Sequence, residues 1–127
     1  MPCYFVYDNL KANPFALYDE PLPGFEVLSW NSWTTGTMWD IGNDAGFTTI
    51  GHHQVYGQVW KLVDPSQNVL HKIRDYSGAY TGLREEVDVR VVVPIDDLIK
   101  EELQATTFAL SKIANDYEII REGRWRF

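Results

Sequence analysis

The sequence has little cysteine and no long hydrophobic run. Cys3 is the single cysteine, so an intrachain disulfide is excluded. No stretch approaches the roughly 18 consecutive apolar residues of a membrane-spanning helix, and no basic start followed by an apolar core marks a secretory signal. We therefore expect a cytoplasmic protein without a membrane partner.

Basic residues are also few. The chain has 11 lysines and arginines against 18 aspartates and glutamates, which gives a net charge of −7. Such a surface repels the phosphate backbone of DNA and RNA. We therefore do not expect bulk nucleic acid as a partner.

Sequence patterns for cofactors and metals are missing as well. There is no glycine-rich phosphate loop and no dinucleotide-binding fingerprint. His52 and His53 are adjacent in a predicted loop, and no cysteine or carboxylate spacing completes a zinc site around them. We therefore expect no cofactor and no metal.

Aromatic residues, in contrast, are abundant: 5 Trp, 7 Tyr and 6 Phe among 127 residues. Rings of this size fill the interior of a small barrel. The length suits one domain, 1–127, with a single core. The alternative use of the rings is a pocket for a flat ligand, with Tyr7, Trp33, Trp39 and Tyr80 near its mouth.

Local patterns predict several strands and one or two helices. Residues 87–93 alternate Val87, Val89 and Val91 with polar residues, as a strand with one buried face does. Residues 65–76 carry an apolar stripe after the capping residues Asp64 and Ser66, which predicts a helix. Helical spacing over residues 95–103 predicts a second, short helix. The expected fold is α/β (α+β), a small mixed β-barrel of about six strands with one or two packed helices.

One loop and the order of the later segments resemble a known family. The first strand ends in the loop Tyr7-Asp8-Asn9-Leu10. The later segments are residues 36–41 (GTMWDI), 55–62 (VYGQVWKL), 69–78 (VLHKIRDYSG), 83–93 (LREEVDVRVVV) and 119–125 (IIREGRW). In this order they resemble the γ-glutamylcyclotransferase-like (AIG2-like) family, with a degenerate catalytic motif. The resemblance implies a γ-glutamylcyclotransferase-like barrel with its ligand over the end of the first strand.

Two positions depart from the family pattern. Asp8 stands where the family has a loop glycine, and Ser77, just before Gly78, stands where it has the catalytic glutamate. In the family, that carboxylate is thought to take a proton from the substrate's α-amine, which then closes a 5-oxoproline ring. A serine hydroxyl without a partner base cannot do this. The fallback base is Glu86 or Glu85, because one of two neighbouring strand residues faces inward.

The candidate ligand site combines the loop with the helix end and the following strand. Its predicted residues are Tyr7, Asp8, Asn9, Leu10, Ser77, Gly78 and Arg84. We expect the loop's N–H groups to be free for a ligand's oxygens, unless the loop is only a turn after a strand. We expect Arg84 to hold an anionic group, or else to pair with Glu86 or Asp88.

Three functions remain open from the sequence. The first is a non-catalytic binder, a pseudoenzyme that sequesters a small anionic or nucleotide-like ligand. The second is an active cyclotransferase that releases 5-oxoproline from γ-glutamyl amines or peptides with a displaced carboxylate base. The third is a protein-interaction module. Trp125 and Phe127 at the C-terminus indicate docking over the barrel mouth or onto a second subunit, which would make a homo-oligomer.

Overall fold

The computed structural model of the protein describes residues 2–13 and 20–126. These residues form six strands and one α-helix. In chain order they are β1 (Cys3–Val6), β2 (Phe25–Asp40), β3 (Ala45–Leu62), α1 (Gln67–Tyr76), β4 (Arg84–Pro94), β5 (Lys100–Leu110) and β6 (Glu118–Ile119). Phe127, part of the predicted tail docking, lies outside the described residues.

The strands form one mixed sheet that closes on itself. Their order is β3-β1-β5-β4-β2-β6, and an additional pairing of β2 with β3 completes a ring. β1 is parallel to β5, whereas its pairing with β3 and the pairings β2–β3 and β4–β5 are antiparallel. The predicted α+β fold with about six strands is confirmed, with β6 attached to β2 outside the ring.

The alternation of side chains along β1 divides the core into two clusters. Phe5 and Tyr7 belong to the cluster that fills the ring, together with buried residues of β2, β3, β4 and β5. Tyr4 and Val6 point to the other face, where they pack with Ile73 of α1. The end of β1 is therefore in contact with both clusters.

The helix α1 forms where the sequence predicts it. It starts at Gln67, and the side chain of its N-cap residue Ser66 accepts a hydrogen bond from the amide of Val69. Val69 and Ile73 are its buried residues, so the apolar stripe lies against the sheet. In the described part of the chain, no helix is long and apolar enough to cross a membrane.

The second predicted helix, at residues 95–103, is wrong. β5 already begins at Lys100, which pairs with Pro94 of β4. The side chain of Asp96 accepts hydrogen bonds from the amides of Leu98 and Ile99, at 2.8 and 2.9 Å. This local turn and the long strand pairing outweigh the helical spacing of the apolar residues. Leu98 at the tip of this turn is 94% exposed.

The hairpin of β2 and β3 brings the next element to the end of β1. Its turn covers residues 41–44, and the amide of Ile41 donates to the carbonyl of Asp44 at 3.1 Å. β3 then runs antiparallel to β1, with Phe5 opposite Val59 and Val6 opposite Gln58. The turn of the hairpin thus lies beside the loop that follows β1, as the contacts below show.

Candidate functional site

The loop after β1 begins with two buried polar side chains. The Tyr7 hydroxyl donates a hydrogen bond to the Phe108 carbonyl of β5, at 2.6 Å. Burial raises the pKa of Tyr7 above its usual value, so the hydroxyl remains protonated. Asp8 follows and is only 7% exposed. The loop therefore places a carboxylate inside the protein.

Arg84 lies between two carboxylates. Its Nη2 atom is 3.6 Å from Asp8 Oδ2 and 3.4 Å from Asp44 Oδ2. Arg84 also donates to the carbonyls of Ala45, at 2.6 Å, and Ser77, at 3.1 Å. The predicted pairing with an acid is thus found, but with Asp8 and Asp44 rather than with residues of its own strand.

One polar atom of this cluster has no partner. Arg84 Nε is buried and makes no hydrogen bond to any part of the chain that the structure describes. Because the other end of the guanidinium is fixed by two carbonyls and two carboxylates, the side chain has little freedom to turn toward a ligand. Arg84 therefore connects the parts of the site, and the two carboxylates already compensate its positive charge.

The N–H groups of the loop are already used, as expected for the alternative in which the loop is a turn after a strand. The Leu10 amide donates to Asp8 Oδ1 at 3.1 Å. The Asn9 amide donates to Asp44 Oδ1 at 2.9 Å, and the Lys11 amide to the Asp8 carbonyl at 3.1 Å. The chain's own carboxylates therefore occupy the positions where a ligand's oxygens were predicted.

A small cavity lies at the end of β1, between the sheet and α1. Its volume is about 10 Å³, roughly the space of one water-sized group. The lining residues are Tyr4, Phe5, Val6, Tyr7, Asp8, Leu10, Ile73, Ser77, Thr107 and Phe108. Four of the seven predicted ligand-binding residues thus share this cavity: Tyr7, Asp8, Leu10 and Ser77. Asn9, Gly78 and Arg84 are not among the lining residues.

Ser77 reaches the cavity from the end of α1. It is the C-cap residue of the helix, and Gly78 follows with a φ of +80°, a conformation that glycine adopts without strain. Ser77 is only 3% exposed. The helix end therefore presents a buried hydroxyl to the cavity.

Neither predicted fallback base lines the cavity. Glu85 and Glu86 are both exposed, so the expected inward glutamate is not found. The carboxylate of Glu86 instead pairs with Arg74 on α1. Asp75, two residues before Ser77, is exposed as well. Arg84, the residue just before Glu85 on β4, is the one that is buried.

The carboxylate that does line the cavity is Asp8, and its protonation is shifted. Burial and, next to it, the charge of Asp44 raise the pKa of Asp8 to about 6 against the lowering effects of Arg84 and the Leu10 amide. A carboxyl group with such a pKa exchanges its proton near neutral pH. The residue that departs from the family pattern is thus the titratable group of the site.

The C-terminal tail holds the other side of the loop. Trp125 Nε1 donates to Asn9 Oδ1 at 2.7 Å, and Lys11 Nζ donates to the Trp125 carbonyl. Trp125 also packs against the cluster inside the ring. Burial lowers the pKa of Lys11 to about 8. The tail therefore docks on its own ring, as one of the two sequence alternatives proposed, while a homo-oligomer remains a prediction.

Of the four aromatic residues predicted near the mouth, Tyr7 lines the cavity, whereas Trp33, Trp39 and Tyr80 do not. Trp39 Nε1 donates to Thr48 Oγ1 at 3.1 Å within the β2–β3 hairpin, and Trp33 faces Val92 where β2 meets β4. Tyr80 is exposed and packs against His71 at 5.0 Å between ring centroids. Within residues 2–13 and 20–126, no three acidic, histidine or cysteine residues are grouped to hold a metal ion.

Sequence reasoning missed Asp44, Lys11 and Trp125 as partners of the loop. Asp44 follows Gly42 and Asn43 in a short polar turn, a composition that predicts a turn and no more. The roles of these partners depend on contacts across 35 and 114 positions of the chain, for which a single sequence carries no signal.

Comparisons with known proteins identify the fold. No family model and no curated protein sequence matches the chain. Among solved structures, YkqA from Bacillus subtilis matches with a TM-score of 0.65 and 16% identity, over 98% of this chain and 39% of YkqA. The uncharacterized protein PH0828 from Pyrococcus horikoshii matches with a TM-score of 0.63 and 16% identity, over 98% of this chain and 89% of PH0828.

A third match is a gamma-glutamyl cyclotransferase, with a TM-score of 0.61 and 18% identity, over 93% of this chain and 69% of that protein. The chain therefore has a γ-glutamylcyclotransferase-like fold, as the motif order predicted. It spans well under half of YkqA. At these identities the likeness describes the fold, and the function has to be argued from the site.

Proposed function

We propose that the chain is a small-molecule-binding protein and that its ligand places a polar group in the cavity at the end of β1. The observation that carries this proposal is the meeting of Asp8 and Ser77 in one cavity, from elements 69 positions apart in the sequence. Asp8 brings a buried carboxyl group to this space and Ser77 brings a buried hydroxyl. Concave sites with few, converging polar groups are typical ligand sites.

Two features favour binding over catalysis. Ser77 supplies a hydroxyl at the position where the family resemblance places the catalytic glutamate. Glu85 and Glu86 of β4, the predicted substitutes for that glutamate, are exposed to solvent. Asp8 is tied to Arg84 and to the Leu10 amide, which restricts its movement toward a substrate. The charged side chains of the site are therefore held in a fixed arrangement.

Native mass spectrometry of the freshly purified protein tests this proposal. We expect a small molecule to remain bound at gentle ionisation and to be lost in Ser77→Met, whose side chain fills the cavity. Thr81→Met is the matched control, because Thr81 is exposed one turn beyond the helix end. Circular dichroism checks that both variants are folded.

The proposal fails if wild-type protein carries no molecule and binds none from a fragment collection. It also fails if Ser77→Met retains a molecule as well as wild type does, because the ligand then lies elsewhere.

A second candidate function is that of a γ-glutamyl cyclotransferase with Asp8 as its base. The specific observation in its favour is that Asp8 lines the same cavity as Ser77 and has a pKa of about 6, which suits proton transfer at neutral pH. We expect no release of 5-oxoproline from γ-glutamyl amides by wild-type protein. Chromatographic detection of steady release, abolished by Asp8→Asn, would establish the enzyme instead.

A further inference from the structure

We propose that the ligand carries a protonated primary amine and that Asp8 is the residue that selects it. This inference rests on the proposed function, because it names the ligand class for the same cavity. The inference follows from the hydrogen-bond donors and acceptors of the cavity lining that are not yet paired within the protein.

The donors of the cavity are almost all engaged. The Tyr7 hydroxyl donates to the Phe108 carbonyl at 2.6 Å, and the Thr107 hydroxyl donates to the Phe5 carbonyl at 2.7 Å. The Leu10 amide is bound to Asp8 Oδ1. An anion entering the cavity would therefore find few donors and would have to break existing hydrogen bonds.

The acceptors are available. The Asp8 carboxylate has four lone-pair directions; the backbone amides of Leu10 and of Asp8 itself donate to it, and Arg84 approaches it at 3.6 Å, which leaves one direction for a ligand. The hydroxyl of Ser77, 3% exposed, adds an acceptor on the helix side. An ammonium group offers three donors and accepts nothing, so it matches this combination, whereas a carboxylate or phosphate does not.

The charges around Asp8 also favour a positively charged ligand. Arg84 is shared between Asp8 and Asp44, so these three side chains together carry one negative charge when both carboxyl groups are ionised. Lys11 also acts on Asp8, but its Nζ is bound to the Trp125 carbonyl and Lys11 does not line the cavity. An anion placed in the cavity would meet the Asp8 carboxylate first.

The size and the walls of the cavity fit an amine with an alkyl tail. A volume of about 10 Å³ accommodates a group of the size of water or ammonium. The rings of Tyr4 and Phe108, 6.2 Å apart, stand at its wall. Aromatic rings stabilise both alkyl groups and cations. The half-buried Leu10 marks the side on which a tail would leave.

An NMR titration with three probes of matched shape tests the inference. The probes are n-propylammonium, 1-propanol and propionate, and the signals are the backbone amides of Leu10, Ser77 and Phe108. We expect propylammonium to shift these signals with an affinity about tenfold above that of either other probe, as expected for a charge-assisted hydrogen bond in a buried site.

Three variants assign the preference to its residues. Asp8→Asn should lower the affinity for propylammonium about tenfold, because it removes the charge and keeps the shape. Ser77→Ala should lower it about threefold through loss of a neutral acceptor. Asp75→Asn, which removes an exposed carboxylate on the same side of the protein, should leave the affinity unchanged.

The wild-type protein gives a second test that needs no substitution. Asp8 must be ionised to bind an ammonium group, so the affinity should rise about tenfold between about pH 5 and pH 7. Among the facing groups, Tyr7, Lys11 and Arg84 keep their protonation over this range, since the pKa of Lys11 is lowered only to about 8 and that of Tyr7 is raised. Any contribution of Asp44 persists in Asp8→Asn and can be subtracted.

The outcomes separate this inference from the proposed function. If 1-propanol or propionate shifts the cavity amides as strongly as propylammonium, or if Asp8→Asn binds propylammonium as wild type does, the amine inference is wrong and the cavity remains a binding site. If none of the probes shifts these amides up to hundreds of millimolar, the inference and the proposed cavity are both wrong.

Discussion

At the scale of single residues, Asp8 and Arg84 form a buried ionic pair whose members have unequal surroundings. Asp8 carries a pKa raised to about 6 because it is removed from water beside a second carboxylate, Asp44. Arg84 has the two carboxylates and two carbonyls as partners. One guanidinium therefore compensates two acids, and the ionised state of Asp8 is the costly one.

The stability of the protein should consequently depend on the protonation of Asp8. Because its pKa in the folded protein lies above the value of 3.8 for the free group, its stabilising contribution is complete below about pH 4 and is lost as the pH rises through about 6. Relative to Asp8→Asn, wild type should lose about 1–3 kcal/mol of unfolding free energy between these limits. Urea denaturation at a series of pH values measures the difference, and parallel curves for the two proteins would contradict it.

Arg84 should be far more important for stability than an exposed arginine. Arg84→Met leaves Asp8 and Asp44 without their counter-charge, which costs about 3–5 kcal/mol for a buried pair. Arg90→Met is the control, because the pair of Arg90 and Glu102 is exposed and contributes at most about 1 kcal/mol. Chemical denaturation of both variants at neutral pH measures the costs. Equal, small costs would mean that Arg84 does not hold the site together.

At the scale of elements, the C-terminal tail connects strand β3 with the loop after β1 through hydrogen bonds to both. The carbonyl of Gly123 accepts a hydrogen bond from the Tyr56 amide of β3 at 2.7 Å, two residues before Trp125 reaches Asn9. A Cβ atom on Gly123 would lie 1.8 Å from the carbonyl oxygen of Gln54, and the φ of Gly123 is +68°. Only glycine fits where the tail meets β3.

Gly123→Ala should therefore release the tail from the ring. We expect the Tyr56 amide to exchange with solvent faster by at least about tenfold, corresponding to a loss of about 1.4 kcal/mol in local stability. Gly82→Ala is the matched control, because Gly82 also has a positive φ, +78°, but a Cβ atom there meets nothing within 4 Å. Hydrogen exchange followed by NMR compares the two. Similar protection of Tyr56 in both variants would show that the tail contact is weak.

The elements also show what the sequence alone can predict. The helix α1 was predictable because its cap at Ser66 and its buried positions Val69 and Ile73 are local signals. The helix expected at residues 95–103 was wrong because the pairing of β5 with β4, over residues 84–110, depends on distant partners. The spacing of apolar residues within a segment carries no information about such distant strand pairing.

The same distinction holds for the site. Tyr7, Asp8 and Ser77 were predicted from motif positions, and they meet in one cavity. The bond from the Leu10 amide to Asp8 is the local contact expected for a turn after a strand. The bond from the Asn9 amide to Asp44 was not predictable, since it requires the β2–β3 turn to lie beside the loop. The motif positions predict which residues meet at the cavity, and the three-dimensional contacts show which of their polar groups are already paired.

At the scale of the whole molecule, a closed ring carries its candidate site at one end. The ring interior is filled by side chains from five strands, and the candidate cavity lies beside β1 and α1. The fold is similar to that of a gamma-glutamyl cyclotransferase, and Asp8 and Ser77 line the cavity. Binding at this cavity is the central claim.

Crystallographic electron density for a bound ligand tests that claim most directly. In crystals of the protein purified without ligand removal, or soaked with n-propylammonium, we predict density for the ligand in contact with the Asp8 carboxylate and the Ser77 hydroxyl. Ligand density confined to other surfaces, with only water beside Asp8, would contradict the account.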